Sequence, residues 1–135
     1  MPNRAAWEPD HQVGHTTIDT QHQGLLDQCN VLADLCAADD GAHWHPSFDA
    51  AFERLKALAR EHFETEATLL AGDAQRLEDH RSECEEFDYL VGEIVTADNF
   101  SRLELQRFLT LWCVGHVAGS APGWRAWLAS GNAPA

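Results

Sequence analysis

Positive charge is scarce in this chain of 135 residues, where nine Lys and Arg stand against 22 Asp and Glu for a net charge of −13. Such a surface repels phosphate backbones and anionic lipid heads, so we expect neither nucleic-acid nor membrane-surface binding. Long apolar runs are also missing. The opening residues, MPNRAAWEPDH, hold no secretory signal, and no apolar stretch approaches the thickness of a bilayer. The sequence therefore predicts a soluble, cytoplasmic protein.

The cysteines lack the spacing of a C-x-x-C motif or a zinc ribbon, and in a reducing compartment we expect free thiols. They are Cys29, Cys36, Cys84 and Cys113. Ser/His/Asp and glycine-rich phosphate signatures are absent too, which favours a binding protein over an enzyme. What the chain does have is 44% hydrophobic residues, enough for a core, and eight histidines, the residue that metal sites use most.

Apolar residues recur at helical spacing in four segments, and no alternating run of β-branched residues competes with that pattern. The predicted helices span residues 19–38, 47–71, 73–96 and 101–118. Ser101 and Glu104 form a capping box for the fourth helix, and the segment GSAPG (119–123) is expected to end it. Short loops between such helices predict an all-α, up-down-up-down antiparallel four-helix bundle. We expect a single domain over residues 1–135, with an N-terminal arm (1–17) and a C-terminal extension (120–135).

The apolar stripe of each predicted helix is interrupted by side chains able to bind a metal. They are His22 on the first helix, His62 and Glu66 on the second, His80 and Cys84 on the third, and His116 on the fourth. In a bundle these stripes face one another, and burying such groups without a compensating ion costs several kcal/mol. Carboxylate and imidazole suit iron, manganese or zinc, whereas a thiolate favours softer ions. Each residue alone is more often an ordinary core residue, but their recurrence in phase predicts a metal site.

These residues resemble the hemerythrin family, four-helix oxygen-binding proteins with a non-haem di-iron centre. The resemblance covers roughly residues 7–120. It depends on Trp7, VGHTTIDTQHQGL (13–25), HFETEATLL (62–70), the stretch from His80 to EEF (85–87), and LTLWCVGH (109–116).

The resemblance implies a ligand set for two irons. His22 and His62 would bind one iron, His80 and His116 the other, and Glu66 would bridge them. Two family ligands are changed here: Cys84 stands in place of a third histidine for the second iron, and Ala121 in place of a bridging aspartate. The function implied is binding of dioxygen or a related small diatomic ligand, for storage or sensing, with any protein partner unknown.

Two other functions stay open at this point. A thiolate-bearing iron at Cys84, with Cys113 nearby as a redox partner or a packing thiol, would suit an enzyme that scavenges peroxide or nitric oxide. A structural bundle would instead need a single zinc or iron, held by His80, Cys84 and His116.

The remaining distinctive residues receive simpler interpretations. His11, His15, His43 and His45 are expected to face solvent, although His11 or His15 is a candidate replacement ligand. The acidic run at 83–88 is expected to be solvated charge. Trp124 and Trp127 cover either the end of the bundle or a partner surface.

Overall fold

The computed structural model describes residues 5–37 and 44–130, which form four long helices. These are α1 (Thr16–Ala37), α2 (Trp44–Leu69), α3 (Ala74–Val95) and α4 (Arg102–Ala129). Both α1 and α3 pack against α2 and α4, so helices that follow one another in sequence are neighbours in space. The predicted all-α four-helix bundle is confirmed. Within the described ranges, no helix has both the length and the apolar character needed to cross a bilayer.

Local capping sets where the later helices begin. The side chain of Asp73 accepts a hydrogen bond from the backbone amide of Arg76 at 3.0 Å, and Ser101 accepts one from that of Glu104 at 3.3 Å. Each bond satisfies an amide that the first helical turn leaves unpaired. Helix α2 begins at Trp44, earlier than the predicted residue 47, because proline in a first turn removes no helical hydrogen bond.

Helix α4 does not end at the GSAPG segment but continues through Pro122 to Ala129, so the predicted end was wrong. The reason is burial of Trp124 and Trp127, which are only 7% and 5% exposed. Each buried tryptophan removes about 150–250 Å² from water, worth about 4–6 kcal/mol. That gain exceeds the cost of about 3 kcal/mol for an internal proline.

The two tryptophans cover one end of the bundle, which decides between the two roles that the sequence left open. They belong to a buried cluster that also contains Val13, Ile18, Leu69, Leu70 and Ala121. The N-terminal arm is tied to the same end of α4, because Arg125 donates to the backbone carbonyls of Asp10 and Gln12 at 2.6 and 3.1 Å.

Replacing Trp127 by Ala is expected to lower the free energy of unfolding by about 3–5 kcal/mol, because it empties the centre of this cluster. Leu111→Ala is the control: Leu111 is 74% exposed on the same helix, and its loss should change stability by about 0.5 kcal/mol or less. Urea denaturation measures both. Equal, small losses would show that the last turns of α4 unfold separately from the bundle.

Candidate metal centre

Four of the six predicted ligands meet in the interior of the bundle. They are His22 on α1, His62 and Glu66 on α2, and His116 on α4, and none is more than 4% exposed. One ligand atom from each lies within 4.8 Å of the others. His62 and Glu66 come together because residues four apart share a helix face.

The carboxylate of Glu66 lies at the centre of this group. Its Oε1 is 3.1 Å from His62 Nε2 and 3.4 Å from His116 Nε2, and those two nitrogens are 3.1 Å apart. Its second oxygen, Oε2, lies 3.9 Å from His22 Nε2. Three imidazoles from three helices therefore surround one carboxylate.

Three atoms of the group are buried without a hydrogen bond: both ring nitrogens of His22, and Oε1 of Glu66. A buried polar atom left unpaired costs about 1–3 kcal/mol, so native proteins rarely keep three together. A cation among them would satisfy all three, and a donor set of imidazole nitrogen and carboxylate oxygen suits iron, zinc or manganese. The residues present therefore fit a metal ion.

The other two predicted ligands lie at the edge of this group. His80 Nδ1 is 3.6 Å from Glu66 Oε1, while His80 Nε2 donates to the backbone carbonyl of Phe63 at 2.9 Å. The sulfur of Cys84 is 3.6 Å from His80 Nε2 and lines a separate cavity of about 210 Å³, which Phe87 also lines. Burial, and then the nearby carboxylates, raise the pKa of the Cys84 thiol to about 12.

A second layer of side chains orients the central group. Glu83 accepts a hydrogen bond from His116 Nδ1 at 3.0 Å, and Gln21 Oε1 lies 2.9 Å from His62 Nδ1. Such contacts orient each ring, so that Nε2 faces the interior.

These supporting residues were missed at the level of sequence. The interpretation of 83–88 as solvated charge missed the contact of Glu83 with His116, although the Glu83 side chain is still 41% exposed. Its place three residues after His80, one helical turn away, was the available signal. Nothing in the spacing pointed to Gln21.

The comparisons with known proteins agree with this geometry. The family model described as the hemerythrin HHE cation binding domain matches residues 13–120. The chain belongs to the hemerythrin family. Searches of the curated proteins and of the solved structures found no match to the chain.

A cavity between α3 and α4 of the hemerythrin domain reaches the buried group of three histidines and Glu66. Its volume is about 610 Å³, and its wall includes Glu66, His116 and Trp124. The exposed carboxylates of Asp79 and Glu86 also line it. A small ligand therefore has a path from solvent to the central carboxylate.

Two histidines of the hemerythrin domain have opposite shifts in pKa. Burial, and then repulsion from His62 and His116, lower the pKa of His22 to about 3. Burial also lowers the pKa of His116, but the nearby carboxylates of Glu66 and Glu83 outweigh it and raise the pKa to about 10. Near pH 7, without metal, His22 is neutral and His116 is an imidazolium.

Metal uptake at about pH 7 is expected to release about one proton, because His116 must lose the proton on Nε2 before that nitrogen can bind a metal. His22 is already neutral and releases none. Calorimetric titration with Zn(II) in two buffers of different ionisation enthalpy measures the release. Glu83→Gln should reduce it, since one of the contacts that raise the pKa is lost. Heats that do not depend on the buffer would mean that His116 gives up no proton.

The arm histidines pack within the hemerythrin domain. The expectation that His11 faces solvent was wrong: it is 7% exposed, its Nδ1 accepts from the amide of Glu8 at 3.1 Å, and its ring meets Trp7 edge-on. His15 is half-buried and accepts from the amide of Ile18 at 3.3 Å, at the start of α1. His43 and the side chain of His45 lie outside the described residues.

All four cysteines are free thiols. Cys113 is buried in the main core, where a hydrogen bond to Cys29, together with burial, raises its pKa well above the ordinary value. With Cys113 beside Cys29 and the Cys84 thiol protonated, this arrangement gives no support to a redox pair of Cys84 and Cys113.

Proposed function

We propose that this hemerythrin domain binds non-haem iron through His22, His62, Glu66 and His116, and that it takes up dioxygen or a related diatomic ligand there for storage or sensing. The family itself is one of cation-binding domains. The choice of iron and of a diatomic ligand is the proposal.

The observation that carries the proposal is the buried group of three imidazoles and one carboxylate, with ligand atoms within 4.8 Å of one another. The mixed set of imidazole and carboxylate suits iron, zinc or manganese. We choose iron among them because the resemblance to the hemerythrin family implies it. The path between α3 and α4 also suits a ligand-binding site better than a closed structural one.

Bound iron would supply a redox-active centre with room for an added ligand. The chain's own residues prepare that place. Burial keeps His22 neutral, so its lone pair is free to bind. Glu83 and Gln21 hold the rings of His116 and His62 with Nε2 toward the interior. Trp112 stacks on His116 with ring centroids 5.1 Å apart, which shields that ring from water.

The test compares absorption spectra of the anaerobically iron-loaded protein before and after exposure to air. We expect a new band in air that disappears when oxygen is removed. Zinc-loaded protein is the control, because zinc has no redox chemistry. An iron-replete sample without an oxygen-dependent band would exclude oxygen binding. Zinc without iron in the protein as purified would favour the structural bundle instead.

The cytoplasm is the compartment that we propose, because the free thiols of all four cysteines suit a reducing environment. Fractionation of the cells that make the protein tests this. Recovery of the protein from an oxidising compartment would contradict it.

A further inference from the structure

The two oxygens of Glu66 have different surroundings in this chain. Oε1 faces His62 and His116 and makes no hydrogen bond. Oε2 accepts a hydrogen bond from the indole Nε1 of Trp124 at 2.9 Å, and both groups are buried. A carboxylate that bridges two metal ions gives one oxygen to each. Here the second oxygen already accepts a hydrogen bond, and the donated proton would compete with a second cation for that oxygen.

The indole reaches this position because of two features of α4. The helix continues through Pro122, which carries Trp124 into the bundle end. One turn earlier, Ala121 is fully buried in the same cluster and offers only a methyl group. By the family pattern this is where a second carboxylate would bridge the metals. An apolar residue and an indole therefore stand where a two-ion site needs a second anion.

Three of the four converging ligands define a single point, and His22 lies farther out, with its Nε2 3.9 Å from Glu66 Oε2 and within 4.8 Å of the others. His62 Nε2, His116 Nε2 and Glu66 Oε1 form a triangle with sides of 3.1, 3.1 and 3.4 Å. Ligands bound at about 2.0–2.2 Å to one ion lie roughly 3.0–3.5 Å apart in octahedral or tetrahedral geometry. One ion can therefore contact all three atoms. The family resemblance instead assigns His62 and His116 to different irons.

The other two predicted ligands do not form a second site around Oε2. His80 donates from Nε2 to the backbone carbonyl of Phe63, and its Nδ1 lies 3.6 Å from Oε1, the same oxygen that His62 and His116 face. Cys84 lines the other cavity, next to Phe63 and Phe87. Neither belongs to the group of four whose ligand atoms converge.

We infer that this site holds one metal ion, bound by His22, His62, Glu66 and His116, and that the indole of Trp124 takes the place of the second ion. The inference rests on the proposed metal-binding function and restricts it. It makes the centre mononuclear, with Glu66 binding the ion through Oε1 alone.

The experiment is metal stoichiometry. The purified full chain is loaded anaerobically with excess Fe(II), and separately with Zn(II), then desalted, and metal is measured against protein quantified by amino-acid analysis. We expect one ion per chain with either metal. Two ions per chain would overturn the single-ion site while leaving metal binding intact. No retained metal would overturn the proposed function as well.

A spectroscopic measurement gives a second readout. After oxidation of the iron-loaded protein with ferricyanide, a lone high-spin ferric ion gives an electron paramagnetic resonance signal. Two ferric ions sharing a bridge couple antiferromagnetically and give none at low temperature. We expect a signal whose integrated intensity matches the iron content. A silent, iron-replete sample would contradict the inference.

Variants test whether Trp124 prevents a second ion from binding. The double change Ala121→Asp and Trp124→Phe restores a second carboxylate and removes the N–H donor, so retained metal should rise from one ion toward two. Trp127→Phe is the matched control, since its buried indole N–H makes no hydrogen bond, and it should remain at one. A double variant that folds, by circular dichroism, yet still holds one ion would show that Trp124 and Ala121 do not limit the site.

Discussion

Glu66→Gln is expected to weaken iron binding by more than about 100-fold, since even changes outside the direct ligands of a metal cost about 10–100-fold. The substitution removes the only negative charge among the four converging residues. It also replaces an acceptor by a donor at the Oε1 position. The indole of Trp124 should keep the amide oxygen at the Oε2 position, so the NH₂ group faces His62 and His116. An amide nitrogen in that place donates hydrogen bonds and cannot bind a cation.

Competition against a coloured chelator measures the affinity. Glu64→Gln is the matched control, an exposed glutamate two residues earlier on α2, and it should bind iron as the unaltered protein does. If both variants kept the original affinity, Glu66 would not be a ligand, and the metal would have to bind elsewhere.

Removal of the metal is expected to lower the melting temperature by on the order of 10 °C. A ligand present at about 1,000 times its dissociation constant stabilises the folded state by about 4 kcal/mol, and a domain of this size shifts by a few degrees per kcal/mol. The physical cause is the buried group itself. Without a cation, both ring nitrogens of His22 remain unpaired in the interior.

Calorimetry of the iron-loaded protein, before and after dialysis against a chelator, measures this difference. Glu66→Gln is the control, because its weaker binding should make its melting temperature respond to iron by far less than that of the unaltered protein. A chelator-treated protein as stable as the loaded one would show that the interior tolerates the unpaired histidine without help from a metal.

Periodicity made most of the fold predictable from sequence. His22, His62, Glu66 and His116 lie in phase with the apolar stripes of their helices, and a stripe must face the core. Their convergence follows once the helices form a bundle. The end of α4 was not predictable in this way, because a local proline signal competes with burial of Trp124 that only the folded chain reveals.

The third helix shows why the remainder of the site escaped prediction. Periodicity places His80, Glu83 and Cys84 within about one turn of each other, but it does not say how α3 is rotated against α2 and α4. The structure turns Glu83 toward His116 and leaves Cys84 beside a different cavity. A rotation of this kind depends on side-chain packing across helices, which spacing within one helix does not encode.

The opening between α3 and α4 affects the arrival rate of cations but not that of neutral molecules. Asp79, Glu83 and Glu86 line it, and its one arginine, Arg76, is paired with Asp73 at 3.5 Å. A concave surface of one sign can raise the arrival rate of counter-ions by about 10–10³, and salt at about 0.1 M screens that field beyond about 10 Å. Delivery of metal is therefore sensitive to ionic strength, whereas diffusion of a neutral gas through the same gap is not.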